Sequence, residues 1–169
     1  MTALWTLPRT WATGEIVTAA QLNTHLRDNL EYLKLREETP LNYFTCSSNT
    51  SYTTTSSTFS DVDAAGLAGT LITMGGPLLI GLAGNWKSSG TSIDVCLDVT
   101  INGVRIGHAT YGVTFMQSVA TNLYLPVAWS TVRTLAAGTY ALKLQWRTSS
   151  GTLSLGPNGA TQFYAVELV

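Results

Sequence analysis

The sequence predicts a mainly β protein, an antiparallel jelly-roll sandwich preceded by an extended arm and one α-helix. Two observations predict it. Beyond residue 67 the chain reads as short alternating apolar and polar segments separated by turn residues, and before residue 40 it carries one long amphipathic segment. Eight or more candidate strands with turns at short intervals are typical of a sandwich or jelly roll rather than a βαβ fold.

The first 40 residues differ in composition from the rest of the chain. They hold nine of the charged residues, of which the whole chain has 9 basic and 10 acidic. The shift predicts a boundary near Thr39-Pro40, with an N-terminal arm and helix over residues 1–40 and a β jelly-roll domain over residues 41–169.

Residues 1–17 have neither helical nor strand periodicity and are predicted to form an extended arm. The arm has apolar residues but no core of its own to bury them, namely Trp5, Leu7, Pro8 and Trp11. Such residues either anchor in a groove of a partner or pack back on the domain. We expect this arm to serve attachment.

A helix is predicted over residues 19–37. Thr18 and Gln21 have the spacing of a capping box, in which the Thr hydroxyl accepts from the third helical amide and the Gln side chain reaches back. One apolar stripe follows at spacings of 4, 4 and 3, formed by Leu22, Leu26, Leu30 and Leu33. Heptad spacing instead places Asn29 at a core position, a device that fixes register and strand number in coiled coils. An isolated helix of this length is marginally stable in water, so we expect it to need a partner surface.

The clearest strand signal is residues 93–101, where Ile93, Val95, Leu97, Val99 and Ile101 alternate with polar residues. Asn102-Gly103 follows and predicts a two-residue type I′ hairpin. Residues 140–146 and the last residues of the chain alternate in the same way, with a turn predicted at Pro157-Asn158-Gly159. Further strands are predicted at 69–74, 78–86, 109–116 and 121–129. The Ser- and Thr-rich residues 45–60 read as a linker or as an extended strand-like segment, and the strand is favoured.

Residues with catalytic or metal-binding chemistry are sparse. His25 and His108 have no spacing that joins them to thiolates or carboxylates, so no metal site is expected. Asp94 and Asp98 share one strand face, where paired carboxylates can carry out acid–base chemistry. A solvated strand face is the favoured reading, and neither an enzyme nor a cofactor is predicted. Residues 61–66 resemble a calcium loop only superficially, since Ala65 and Ile72 stand where oxygen ligands belong.

Two cysteines, Cys46 and Cys96, are too few for a disulfide framework and are read as free thiols rather than as a bridge. Trp86, Trp129 and Trp146 lie at alternating strand positions and are expected in the core rather than on a sugar-binding surface.

A net charge of −1 gives no reason to expect a nucleic-acid partner. No apolar run is long enough to span a membrane. No signal peptide is expected, because a basic region followed by an apolar one is missing.

Two stretches carry a resemblance to a known class of proteins. The segment "RTWATGEIVTAAQLNTHLRDNLEYLK" resembles a leader at the front of structural proteins of tailed bacteriophages. The matching residues are Trp11, Gly14, Glu15, Val17, Thr18, Ala19, Ala20, Leu22, Asn23, Arg27, Asp28 and Asn29. The C-terminal run "LAAGTYALKLQWRTSSGTLSLGPNGATQFYAVELV" is similar to the closing strands of tumour-necrosis-factor-like jelly rolls of phage fibre, tail and capsid-decoration proteins.

The resemblance implies a homotrimeric, non-enzymatic virion protein, made in the host cytoplasm. The leader would attach it to the major capsid protein or to a tail protein, with Leu22, Leu26, Asn29, Leu30 and Leu33 as the trimer or partner contact. The small size favours a capsid decoration or short head fibre. The alternative is a minor tail or receptor-binding protein whose jelly roll binds a host surface glycan.

Overall fold

The structure is a computed structural model that describes residues 6–38, 43–156 and 159–168. The chain divides into two compact units, Met1–Pro40 and Leu41–Val169. Trp5 lies outside the described residues, as do Pro157 and Asn158 of the predicted turn.

The N-terminal unit has one continuous helical stretch. It consists of α1 (Ala19–Leu22), a π-helical turn (Asn23–Arg27) and α2 (Asp28–Glu38). The predicted capping box is present, because the Gln21 amide donates to the Thr18 hydroxyl at 3.3 Å and the Thr18 amide donates to Gln21 Oε1 at 2.9 Å. The helix therefore begins where the sequence predicts it, and the wider π turn is a feature that apolar spacing did not indicate.

The C-terminal unit is an antiparallel β-sandwich of the jelly-roll kind, as predicted. Its strands in chain order are β1 (Tyr43–Ser48), β2 (Tyr52–Thr54), β3 (Ser60–Asp61), β4 (Ala68–Thr73), β5 (Pro77–Ser88), β6 (Asp94–Ile101), β7 (Val104–Arg105), β8 (Thr114–Gln117), β9 (Leu125–Thr134), β10 (Gly138–Thr148), β11 (Leu153–Leu155) and β12 (Thr161–Glu167).

The strands form two sheets. In sheet A the order is β1-β12-β5-β11-β2, with β9 on the free side of β5. In sheet B the order is β3-β10-β6-β7, with β4 beside β10 and β8 beside β6. All pairings are antiparallel, and the long strands β5 and β10 each pair with three or more neighbours.

The core lies between the two sheets and is formed by every second residue of the central strands. In β6 the inward residues Val95, Leu97 and Val99 are fully buried, as their alternation predicts. Trp86 and Trp146 are also buried in this core, and Trp129 packs against it half-buried. The three tryptophans therefore belong to the core and do not form a sugar-binding surface.

The β6–β7 turn confirms the predicted hairpin. Asn102 has φ 50° and Gly103 has φ 80°, so both central residues lie in the left-handed region that a type I′ turn requires. Ile101 pairs with Val104 across this turn. The turn fixes the register of β7, which places Arg105 opposite Thr100.

Some predicted strands differ in extent from those observed. Residues 45–60 hold three short strands, and the predicted strand at 109–116 begins only at Thr114, because residues 107–113 turn back over sheet B. The predicted strand at 121–129 is observed as Leu125–Thr134, and β11 was not predicted.

The second face of β6 is not solvated, since Cys96 and Asp98 are fully buried and Thr100 nearly so.

Candidate functional site

The leader motif begins with a tight turn over residues 12–15. The Glu15 amide donates to the Ala12 carbonyl at 3.1 Å, and Gly14 has φ +82°, which a type II turn requires at its third position. The Glu15 carboxylate accepts from the Ala12 amide at 3.2 Å and pairs with Arg9. Gly14 and Glu15 are thus explained by the turn they build.

The arm folds back on its own helix. The Arg9 guanidinium lies over the Trp11 ring at 4.7 Å, and the Trp11 ring meets His25 edge to face with centroids 6.2 Å apart. Asn29, which is buried, accepts from the Thr6 amide at 2.9 Å and donates to the Thr6 carbonyl at 2.8 Å. In the single chain Asn29 therefore binds the arm, and its predicted role between copies stays a prediction.

The N-terminal unit exposes an apolar stripe along its helix. The stripe consists of the four predicted leucines, with exposures of 42 to 62%: Leu22, Leu26, Leu30 and Leu33. The arm adds Leu7, which is 81% exposed, and an exposed Pro8. Contiguous exposed apolar surface in a small unit is typical of an interaction site. In the described part of the leader, the predicted residues Leu7, Pro8 and the four leucines are exposed, while Asn29 is buried against the arm.

The outer face of sheet A is almost free of charge. The register places three rows across four strands: Tyr43–Val166–Leu79–Val132, Thr45–Tyr164–Gly81–Ser130 and Ser47–Gln162–Ala83–Ala128. Among the described residues of these strands, the outward positions hold one charged side chain, Lys87. We call this surface the uncharged face.

The uncharged face is also flat at its centre. A Cβ at Gly81 would collide with the Tyr164 hydroxyl, so the Tyr164 ring lies on the glycine. Val132 is 53% exposed and Tyr43 60% exposed at the apolar end. The sequence did not reveal this face, because its members come from four separate strands, although alternation of small and apolar residues in β5 is a signal for it.

The outer face of sheet B is charged and internally paired. Lys143 Nζ lies 2.8 Å from Asp61, and Gln145 donates to the same carboxylate at 2.8 Å. These partners, Gln145 before Lys143, lower the pKa of Asp61 below its ordinary value. On the same face the buried Asp98 pairs with Arg105, Nε to Oδ2, at 2.7 Å.

The two carboxylates considered for acid–base chemistry have different surroundings. Asp98 is fully buried, and its Oδ1 accepts from the Val99 and Gly107 amides at 2.8 and 3.0 Å. With Arg105 on Oδ2, both oxygens are occupied. Asp94 is partly exposed and accepts from Gln117 at 3.3 Å. The pair does not form a shared catalytic site, and the predicted solvated face is correct only for Asp94.

The remaining titratable candidates also have structural partners. Asp63 accepts from the Gly66 and Ala65 amides and from the Tyr52 hydroxyl, which closes a turn where the weak calcium motif lies. Cys46 and Cys96 are free thiols whose pKa is raised by burial. Within residues 6–38, 43–156 and 159–168, no three metal-ligating side chains cluster.

Comparisons with known proteins find only distant similarity. No protein-family model matches the chain, and no curated protein matches it. Among solved structures, a chain of infectious bursal disease virus, Gx strain, is 13% identical with a TM-score of 0.43, over 76% of this chain and 37% of that one. Eiger TNF from S. frugiperda is 13% identical with a TM-score of 0.43, over 76% of this chain and 94% of that one.

A pentameric capsid protein isolated from metagenomic phage sequences is 15% identical with a TM-score of 0.28, over 96% of this chain and 82% of that one. The chain spans little more than a third of the length of the bursal disease virus chain. At these scores the similarities carry no argument about function. In the part of the chain that the structure describes, no helix is both long and apolar enough to cross a membrane.

Proposed function

We propose that this chain is a non-enzymatic structural protein of a tailed-bacteriophage virion. It assembles as a homotrimer and attaches through its N-terminal leader, as a capsid decoration or short head fibre. The observation that carries the proposal is the uncharged face of sheet A, because it is the surface that a second copy of the chain can cover at the lowest electrostatic cost.

Burying a charge without a partner is costly, and the cores of protein interfaces are accordingly depleted in charged residues. The uncharged face meets this requirement across four strands, whereas the outer face of sheet B has six charged side chains on its strands: Asp61, Asp94, Asp98, Arg105, Lys143 and Arg147. Sheet A is therefore the side on which copies pack. The number three follows from the resemblance of the C-terminal run to tumour-necrosis-factor-like jelly rolls.

The leader supplies the attachment. Its arm is already ordered by the Asn29–Thr6 bonds and the turn at residues 12–15, so less conformational entropy is lost on binding. Its leucine stripe is left exposed for the major capsid protein or a tail protein. A trimer has three such leaders, and their linkage raises the overall affinity far above that of one. A protein that binds the assembled shell also stabilises it by mass action.

We propose a non-enzymatic role because the buried Asp98 carboxylate has a structural function. Both of its oxygens hold Arg105 and two backbone amides, so the carboxylate has no free position for a substrate. A second candidate function is that of a minor tail or receptor-binding protein whose jelly roll binds a host surface glycan. The exposed aromatic rings of Tyr111 and Phe115, beside sheet B, favour it.

The assembly proposal is tested by placing a charge on the uncharged face. Val132→Lys introduces one ammonium group per copy in the apolar row, and burying an unpaired ion costs several kcal/mol. We expect the wild-type protein to sediment as a trimer at micromolar concentration and the variant to dissociate with at least ~100-fold weaker association.

Val104→Lys is the matched control, since Val104 is also an exposed strand valine, 70% against 53% for Val132, but lies on sheet B. It should sediment as the wild type does. A monomeric wild type, or equal association of both variants, contradicts the proposal. A reconstruction of the virion then separates capsid from tail, by showing which protein the leader touches.

A further inference from the structure

The segment over residues 106–113, here called the display loop, crosses the outer face of β6 in an ordered conformation. His108 and Gly112 exchange two backbone hydrogen bonds of 2.9 and 2.8 Å, and the Val113 amide donates to the Leu97 carbonyl at 2.8 Å. Gly112 has φ +70°, and a Cβ there would collide with the Leu97 carbonyl. The loop therefore lies directly on the sheet.

Two arginines and a buried carboxylate hold the display loop in place. Arg105, paired with Asp98, donates to the His108 and Ala109 carbonyls at 2.7 and 2.8 Å. Arg147 donates to the Thr110 carbonyl at 2.8 Å. The Phe59 ring supports both guanidinium groups, 3.7 Å from that of Arg105 and 5.6 Å from that of Arg147. A buried ion pair is a costly way to stabilise a surface loop, so its value lies in fixing the loop's shape.

The fixed loop and the adjoining strand β8 present three rings at the surface, His108, Tyr111 and Phe115, here called the ring platform. His108 stacks on Tyr111 with centroids 5.2 Å apart and an interplanar angle of 19°, and Tyr111 meets Phe115 at 5.1 Å and 73°. The His108 Nδ1 accepts from the Thr110 and Tyr111 amides, which fixes its ring orientation. Tyr111 and Phe115 remain 46% and 47% exposed. These rings are rigid and exposed without being needed in the core.

Polar groups adjoin the ring platform. Gln117 follows Phe115 on the same face of β8 and donates to Asp94, its cross-strand partner, at 3.3 Å. The charges around the platform balance, with Asp94 and Asp98 against Arg105 and Arg147. A balanced field gives no attraction for polyanions such as nucleic acids. Two exposed rings also supply much less area than the roughly 800 Å² per partner of a stable protein interface.

We propose that the ring platform binds one neutral sugar residue of a surface polysaccharide. The negative ring faces of Tyr111 and Phe115 suit the C–H face of a pyranose, and the Asp94–Gln117 pair suits the hydroxyl groups at its edge. An apolar surface with few convergent polar groups is the usual composition of a small-ligand site. This proposal rests on the second candidate function and names the residues that would bind the glycan. The sugar site could serve the protein on either the capsid or the tail.

The test uses the full chain on an array of purified bacterial surface polysaccharides. Wild-type protein should bind at least one polysaccharide, and Tyr111→Ala and Phe115→Ala should each weaken that binding about tenfold. Tyr124→Ala is the matched control, because Tyr124 is 44% exposed but contacts Lys87 of sheet A instead. It should bind as wild type does. Unchanged melting temperatures exclude unfolding as the cause.

An array without any binder overturns the sugar site but leaves the trimer and the leader attachment untouched. Equal loss in Tyr124→Ala overturns it as well. Protection of the Tyr111 and Phe115 rings inside the assembled oligomer, seen as slowed chemical labelling on assembly, assigns the ring platform to a protein contact and likewise overturns the proposal.

Discussion

Replacing Asp98 by Asn keeps the shape of the side chain and removes its charge, so the substitution isolates what the buried carboxylate does. Its two oxygens face only donors, namely Arg105 Nε at 2.7 Å on one side and the Val99 and Gly107 amides at 2.8 and 3.0 Å on the other. An Asn side chain has one acceptor and one donor. Whichever way it is turned, its NH₂ group faces another N–H.

The expected cost follows from these contacts. A buried ion pair that loses one partner costs about 3–5 kcal/mol, because the remaining charge is left uncompensated. Arg105 keeps two carbonyl partners and is 27% exposed, so water compensates part of its charge. We therefore expect the low end, about 3 kcal/mol of unfolding free energy, which corresponds to a fall in melting temperature of about 10 °C for a chain of this size.

Asp94→Asn is the matched control, because Asp94 lies on the same strand with the same orientation but is partly exposed, with one 3.3 Å bond to Gln117. It should change stability by less than about 0.5 kcal/mol. Urea unfolding of both variants at one protomer concentration measures the difference. The reasoning is refuted if Asp98→Asn unfolds within 1 kcal/mol of wild type, which is about a third of the expected loss.

Two further predictions concern single side chains. Asn29→Ala should speed hydrogen exchange of the Thr6 amide about 5- to 30-fold, since it loses both bonds to the arm, whereas Asn23→Ala on the exposed side of the same helix should leave that rate unchanged. Asp63 has its pKa lowered, first by the Gly66 and Ala65 amides and then by Tyr52, so its contribution to stability is present above the unfolded pKa of about 3.9 and is lost as pH falls through the folded value. Carboxyl NMR titration should find Asp63 below that unfolded value, and Asp63→Asn should remove this part of the acid dependence.

Alternation in the sequence predicted the inner face of β6 correctly because the interior of the sandwich is set by a period of two. It did not predict the outer face. Cys96, Asp98 and Thr100 are buried there, on a face crossed by the display loop, whose Gly107 amide donates to Asp98 and whose Val113 amide donates to Leu97. Local pattern carries no information about which remote segment covers a face, so Asp98 read as solvated. The turn residues Gly107 and Gly112 were the only local sign of the loop.

The uncharged face is a second feature that local sequence pattern could not predict. Each of its strands reads as an alternating segment, and the small and apolar residues of β5 are a signal confined to one strand. Their significance arises only when the register aligns Leu79 with both Val166 and Val132. Strand order is a property of the whole topology, so a sequence-based reading finds the strands without finding the surface.

The leader motif separates into residues that act within one chain and residues that do not. Gly14 and Glu15 build the turn, Thr18 caps the helix, and Asn29 binds the arm, so each has a local structural reason to be there. The leucine stripe has no such local role, because its side chains stay 42 to 62% exposed despite the cost of keeping apolar surface in water. The segment orders itself with its polar groups and leaves its leucines half exposed, and on this ground we propose the attachment role for the leader rather than for the sandwich.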